Sequence, residues 1–118
     1  MAIKAGLGRI GKCGLLITKS FGSALRLTTV LANLVLTTSK LVKDSICGSC
    51  RACIETCPAN AVLGENWHVG MPGSKIFDPF IYRNFIQEVV RKKNIEELIC
   101  GKCIISCPWT KKYIEEVI

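Results

Sequence analysis

Hydrophobic and polar positions alternate most clearly in the first third of the chain. In ALRLTTVLANLVL, residues 24–36, the side chains of Leu25, Leu27 and Leu31 alternate with polar or smaller neighbours, and this period of two predicts a β-strand. The run GLLIT, residues 14–18, predicts another strand, and KSFGS, residues 19–23, supplies the turn between them. The N-terminal segment is therefore predicted to form a small β-hairpin.

The pattern changes to a helical period after residue 78. Asp78 is a predicted N-cap, and Pro79 suits the first position of a helix that should run to about Lys93. The 3.6-residue spacing predicts an apolar face made of Ile81, Tyr82, Phe85, Ile86, Val89 and Val90. A last short helix, TKKYIEEVI, is predicted after Trp109. With the hairpin, these helices predict an α+β fold.

Three glycines near the start, Gly6, Gly8 and Gly11, spell G-x-G-x-x-G. Only five residues precede them, too few for the strand that a dinucleotide-binding fingerprint requires, so we exclude that fold. We predict instead a glycine-rich turn that opens a short helix and brings backbone N–H groups close to a ligand.

The strongest motif is CGSCRACIETCP, residues 47–58, with the spacing C-x2-C-x2-C-x3-C-P. Bacterial iron–sulfur proteins use this run, and its fourth cysteine ligates a different cluster from the first three. The segments CRACIETCP, residues 50–58, and CGKCIISCP, residues 100–108, share their cysteines and proline at an offset of 50 residues. This repeat predicts two pseudo-symmetric cluster-binding halves and hence a two-cluster, bacterial-ferredoxin-like domain of short helices and loops.

The repeat predicts the ligands of each 4Fe-4S cluster. Cluster one has a complete set, which is Cys47, Cys50, Cys53 and Cys107. Cluster two has only three cysteines, which are Cys57, Cys100 and Cys103.

The fourth ligand of cluster two stays open at this point. Glu97 occupies the repeat position of Cys47, while Cys13 is expected to be a small buried side chain and the loop residue His68 to be solvated. The alternatives are a four-iron cluster completed by water or Glu97, a three-iron cluster, and an empty site.

Zinc is the competing metal. A four-thiolate zinc ribbon would use Cys47, Cys50, Cys100 and Cys103, but it would leave three cysteines and both Cys-Pro pairs without a role. Disulfides are not expected, because no secretory signal is recognisable and clustered cysteines in a reducing compartment more often hold metal. We therefore expect a cytoplasmic protein. It has no membrane span, since Lys19 and Arg26 interrupt its one long apolar region.

The net charge of +7 comes entirely from the N-terminal third. Residues 1–43 carry seven basic side chains and no acidic one, whereas residues 44–118 carry nine of each. A surface of this kind suits a phosphate-bearing partner such as a nucleotide-tailed cofactor or RNA, although a solvated basic face is the simpler interpretation.

Four segments together resemble the epoxyqueuosine reductase family and its relatives, the corrinoid-dependent reductive dehalogenases. They are AGLGRIGKCGLLIT, FGSALRLTTVL, CGSCRACIETCPANAV and ICGKCIISCPW. The resemblance implies that residues 46–118 are a ferredoxin-like domain with two 4Fe-4S clusters. It also implies that residues 1–45 match the last part of a cobalamin-binding domain, in which Gly6, Gly8 and Lys12 would contact a corrinoid or a phosphate.

The resemblance also bears on activity. In the family, a longer N-terminal portion carries most of the corrinoid pocket and the catalytic acid, so cobalamin is expected only with a partner, and the substrate is a tRNA. The family supplies the remaining cluster ligand from a cysteine at the position of Tyr82. No catalytic acid, base or nucleophile is predicted in this chain.

Two functions follow from the resemblance and the motifs. The first is an electron-transfer module that serves a redox partner protein, such as a corrinoid protein. The second is part of an epoxyqueuosine-reductase-like oxidoreductase that another chain completes. A zinc-stabilised nucleic-acid-binding module is the third alternative.

Overall fold

The computed structural model describes all 118 residues and has an α+β fold. Two short strands form one antiparallel sheet near the N-terminus, and four α-helices follow it. The elements in chain order are β1 (Arg9–Ile10), β2 (Leu16–Ile17), α1 (Ala52–Thr56), a 3-10 turn (Gly73–Lys75), α2 (Pro79–Lys93), α3 (Lys102–Ser106) and α4 (Pro108–Val117).

The sequence repeat is visible as a structural repeat. Helices α1 and α3 have five residues each, begin 50 positions apart and pack against each other. Each ends at a cysteine in extended conformation, where the N–H of Cys57 donates to the Ile54 carbonyl and the N–H of Cys107 to the Ile104 carbonyl. The two halves differ afterwards, because Pro108 starts α4 at once whereas a turn follows Cys57.

The predicted strand at residues 14–18 is confirmed in its centre, as β2. Its partner is not the downstream segment but β1, with Arg9 opposite Ile17 and Ile10 opposite Leu16. Thus the glycine-rich start does not open a helix, and that prediction is wrong. A Cβ at Gly8 would lie 2.5 Å from the Ile17 carbonyl oxygen, so glycine allows the two strands to approach.

The predicted strand at residues 24–36 is also wrong. This segment has no regular secondary structure, and nearly all of its side chains are exposed, including Leu31 at 92% and Val30 at 84%. A strand needs a neighbour for its backbone N–H and C=O groups. The turn at Thr18–Gly22 forms as predicted but directs the chain away from β2, so the alternating pattern finds no sheet to join.

The prediction for α2 is confirmed at both ends. The Asp78 carboxylate accepts hydrogen bonds from the N–H groups of Phe80 (2.9 Å) and Ile81 (3.1 Å), and Asn94 closes the helix in the left-handed conformation. The predicted apolar face is only partly covered, since no residue of α2 is fully buried. None of the helices has the length and apolar character needed to cross a membrane.

The N-terminal segment packs onto the cysteine repeats and contributes Cys13 and Ile17 to the small core. Cys13, Cys53 and Val62 form its buried cluster, with Cys57 and Cys103 packed against it. At the other end of the segment, the Ser23 N–H donates to the Thr110 hydroxyl at 3.0 Å, at the start of α4. The chain before residue 46 is therefore held at two places by the part that follows it.

We predict that Gly22→Ala destabilises the protein by about 1–3 kcal/mol more than Gly70→Ala does. Both glycines have positive φ, so both substitutions carry the conformational cost of that region. A Cβ at Gly22 would overlap the backbone nitrogen of Thr110, whereas one at Gly70 would meet nothing within 4 Å. Urea unfolding of the reconstituted variants measures the difference, and equal losses would contradict the packing of the turn against α4.

Candidate metal centre

In each repeat the cysteines lie in a glycine-containing turn, in the short helix that follows it and at the end of that helix. In the first repeat, a turn with Gly48 at φ +50° and a bond from the Cys50 N–H to the Cys47 carbonyl (2.9 Å) bends the chain before α1. In the second repeat, Gly101 at φ +66° precedes α3. Glycine favours both positions because L-residues with a side chain rarely adopt positive φ.

Cysteines line two main cavities, and the smaller of them gathers the set predicted for cluster one. It has a volume of about 280 Å³, and Cys47, Cys50, Cys53 and Cys107 all line it. Three cysteines come from the first repeat and the fourth from the second, which is the crossing that the spacing predicts. The other walls are mainly apolar and include Ile17, Ile46 and Trp109.

The larger cavity gathers the three cysteines predicted for cluster two. Its volume is about 750 Å³, and Cys57, Cys100 and Cys103 line it together with apolar residues of the loop before α2 and of α3. Cys57 comes from the first repeat and the other two from the second. The structure thus separates the seven predicted ligands into the two expected sets, apart from Cys103, which reaches both cavities.

The structure also sorts the candidates for the missing ligand. Glu97 and His68 are exposed and line neither cavity, and the His68 ring lies 3.0 Å from the Val69 carbonyl. Cys13 and Tyr82 both line the larger cavity. The Tyr82 hydroxyl accepts a hydrogen bond from the Cys100 N–H at 3.2 Å, so it holds the loop that carries Cys100.

Cys13 is buried, as expected, but it is also central. It lines both cavities and belongs to the buried cluster that contains Cys53 and packs against Cys103. The neighbouring thiols, first Cys103 and then Cys53, together with burial, raise the pKa of Cys13. The Cys13 thiol in turn lowers the pKa of Cys53 to about 7 and that of Cys103 to about 7. Because Cys13 is remote in sequence, only the position of the hairpin reveals this contact.

Lys12 makes a contact within the chain that the sequence did not indicate. Its side chain is 5% exposed, and its ammonium donates to the carbonyls of Gly48 (2.7 Å) and Cys50 (2.9 Å). None of the ion pairs in the chain involves it. The ammonium therefore points into the first cysteine loop, and its contact with a corrinoid or a phosphate stays a prediction.

Two sulfur atoms also accept hydrogen bonds from the backbone. The Lys12 N–H lies 3.5 Å from the Cys47 sulfur, and the Ala61 N–H lies 3.4 Å from the Cys57 sulfur. Bonds of this kind to cluster sulfur are among the factors that set reduction potentials.

Gly6 and Gly8 serve close approaches within the chain. Gly6 has φ +71°, and a Cβ there would lie 2.5 Å from the Cβ of Ser39, while Gly8 faces β2. Their contact with a corrinoid or a phosphate stays a prediction.

The donor set fits iron–sulfur clusters better than a single ion. All seven predicted ligands are cysteines, the residue that holds 4Fe-4S clusters. The set predicted for zinc is divided, because Cys47 and Cys50 line only the smaller cavity and Cys100 only the larger. The arrangement thus favours two extended groups over one tetrahedral ion.

Comparison with known proteins supports the same conclusion. The family model of the 4Fe-4S double cluster binding domain matches residues 46–110, which is more than half of the chain. No solved structure matches the chain.

Curated relatives confirm the resemblance seen in the sequence. The chain is 36% identical to the epoxyqueuosine reductase of Atelocyanobacterium thalassa over 118 residues, which cover 98% of this chain and 38% of that protein. It is 31% identical to the epoxyqueuosine reductase of Lactococcus garvieae over 113 residues, 94% of this chain and 31% of that protein. It is 30% identical to a tetrachloroethene reductive dehalogenase of Desulfitobacterium hafniense over 125 residues, 94% of this chain and 22% of that protein.

The matches agree with the geometry in the part of the chain that carries the repeats. The chain spans about a third of the length of the epoxyqueuosine reductases it matches. Its two cysteine repeats, the helices that present them and the cavities between them lie within or against the matched residues. The chain belongs to the family of 4Fe-4S double cluster binding domains.

Proposed function

We propose that this chain is an electron-transfer module whose first 4Fe-4S cluster is held by Cys47, Cys50, Cys53 and Cys107. The observation that carries the proposal is that these four cysteines, from two distant repeats, line one small and largely apolar cavity. Iron–sulfur clusters accept and release single electrons at potentials that the surrounding protein sets.

The second site is proposed to hold another cluster through Cys57, Cys100 and Cys103. The matching ends of α1 and α3 support a two-cluster arrangement of the bacterial ferredoxin kind, with one crossing cysteine per half. The family match begins at residue 46, which supports dividing the chain into residues 1–45 and a ferredoxin-like domain, residues 46–118.

The protein environment of the first cluster has two functions in this proposal. Apolar side chains, Ile17, Ile46 and Trp109, keep water from the ligands. The Lys12 ammonium and the N–H bond to Cys47 place positive charge next to the cluster, which favours the more negative reduced state. We infer that the electrons go to or come from a redox partner protein, and that the eight unpaired cysteines belong in a reducing compartment such as the cytoplasm.

A second candidate function is part of an epoxyqueuosine-reductase-like oxidoreductase that is completed by another polypeptide. One observation favours it, namely the apolar segment at residues 24–36, which is exposed and has no strand to pair with in this chain. A polypeptide equivalent to the N-terminal part of those relatives would supply the missing sheet and, with it, a corrinoid. The basic side chains of residues 1–43 would then lie near the corrinoid phosphate or a tRNA.

We predict that anaerobic reconstitution gives a brown protein with iron and acid-labile sulfide in equal amounts, about four of each per complete cluster. Cys47→Ala should lose the first cluster, because that cavity then has only three of its four thiolates. The control is Lys19→Met, an exposed position away from the cavities, which should keep the full content. A colourless protein that binds one zinc per chain would overturn the proposal.

We predict that Lys12→Met lowers the reduction potential of the first cluster. A unit charge roughly 8 Å from a cluster contributes about 2 kcal/mol at an effective dielectric constant of about 20. For one electron this corresponds to a shift on the order of 100 mV. Redox titration followed by EPR measures the shift, with Lys19→Met as the matched control. An unchanged potential in Lys12→Met with full iron content would contradict the assigned role.

We predict that the exposed apolar segment binds the N-terminal portion of an epoxyqueuosine reductase, for example that of Atelocyanobacterium thalassa, supplied as a separate chain. Binding should protect the backbone amides of residues 24–36 from hydrogen exchange, because they gain strand partners. The double variant Leu31→Asp/Val35→Asp should abolish protection and co-elution, whereas Lys40→Ala should not. Protection elsewhere with none in this segment would exclude this surface.

A further inference from the structure

We infer that Cys13 is the fourth thiolate ligand of the second cluster. The inference rests on the proposed function, because it concerns how that cluster is completed. Neither repeat contains Cys13, and the family match begins well after it. Its assignment depends on where the hairpin places it.

The hairpin presents Cys13 to the cysteines of the second site. Between β1 and β2 the chain reverses through residues 11–15, the hairpin tip, where the Gly14 N–H donates to the Gly11 carbonyl and the Gly11 N–H to the Leu15 carbonyl, both at 2.9 Å. Gly14 has φ +76° and lies against Phe77, which seats the tip beside the larger cavity. Cys13 is only 5% exposed there and contacts Cys103.

The number of thiols agrees with this assignment. The chain has eight cysteines, which is the number that two 4Fe-4S clusters with cysteine ligands require. Cluster one already has four within its own cavity, so Cys13 is not needed there even though it also contacts Cys53. Cluster two has three, and Cys13 is the remaining cysteine that lines its cavity.

Tyr82 is the alternative ligand, and two observations count against it. Its hydroxyl already has a partner, the N–H of Cys100, and this bond supports the loop that carries a ligand. Soft thiolate is also the preferred donor for iron–sulfur clusters, whereas a phenolate oxygen is hard. In contrast, Cys13 lines the same cavity as the three cysteines of the second site, Cys57, Cys100 and Cys103.

Coordination by Cys13 is a simple exchange of bonds. The S–H bond of Cys13 breaks, its proton goes to solvent, and a bond forms between the Cys13 sulfur and one iron of the cluster. No electron is gained or lost in this step.

The test compares reconstituted wild type with Cys13→Ala and Tyr82→Phe. Wild type should bind about eight iron and eight sulfide. Cys13→Ala should lose at least one iron per chain and show either the EPR signal of an oxidised three-iron cluster or the loss of the second cluster, while the signals of the first persist. Tyr82→Phe should keep the full content and an unchanged spectrum. Full content and an unchanged spectrum in Cys13→Ala, or loss in Tyr82→Phe alone, would overturn the inference.

Cys13→Ser is a control for a folding defect in Cys13→Ala. Serine is nearly the same size as cysteine and keeps the packing of the tip. An altered spectrum of the second cluster in this variant supports the inference, and an unaltered one contradicts it. Wild type with about four iron would reject the role of Cys13 but leave the electron-transfer function intact. Wild type without iron–sulfur clusters would reject the proposed function itself.

Discussion

The structure depends on the insertion of one hairpin tip between two cysteine repeats. Lys12 and Cys13 are adjacent in that tip, and they satisfy the two halves of the site in different ways. The Lys12 ammonium binds two carbonyls of the first cysteine loop, and the Cys13 thiol joins Cys53 and Cys103. A buried ammonium without a carboxylate partner is costly unless its donors are satisfied, so the carbonyls of Gly48 and Cys50 fix the position of the tip. Once the tip is fixed, both cavities are closed on that side.

The two repeats have the same structure up to the last cysteine of each, and they differ in the chain that follows it. Both helices end at a cysteine followed by proline, which favours extended backbone at that cysteine and so stops the short helix. After Cys107 the proline starts α4, and that helix receives the N-terminal segment through Thr110 and Ser23. After Cys57 the chain instead forms a turn in which the Ala61 N–H reaches back to the Cys57 sulfur. The two clusters would therefore have different surroundings despite nearly identical motifs.

Much of this arrangement could be predicted from the sequence because it is encoded locally. The cysteine spacing within each repeat and the Asp78-Pro79 cap involve residues a few positions apart, and the structure has the matching short helices α1 and α3 and the capped start of α2. The predictions that were wrong or missing concern contacts between residues that are far apart in the sequence. The alternation at residues 24–36 is typical of a strand, but the pattern does not specify which other strand would pair with it. Likewise, the roles of Lys12 and Cys13 depend on a contact with loops more than 30 residues away.

The exposed segment at residues 24–36 affects the solubility of the protein when no partner covers that segment. An exposed, β-prone and apolar stretch with unpaired backbone groups is a template for pairing with copies of itself, which is the first step toward aggregation. Arg26 within the stretch and Lys40 and Lys43 after it place like charges on every copy, and like charges oppose such stacking. The basic N-terminal third would then act as a gatekeeper, and high salt, which screens these charges, would shorten the time the protein stays in solution.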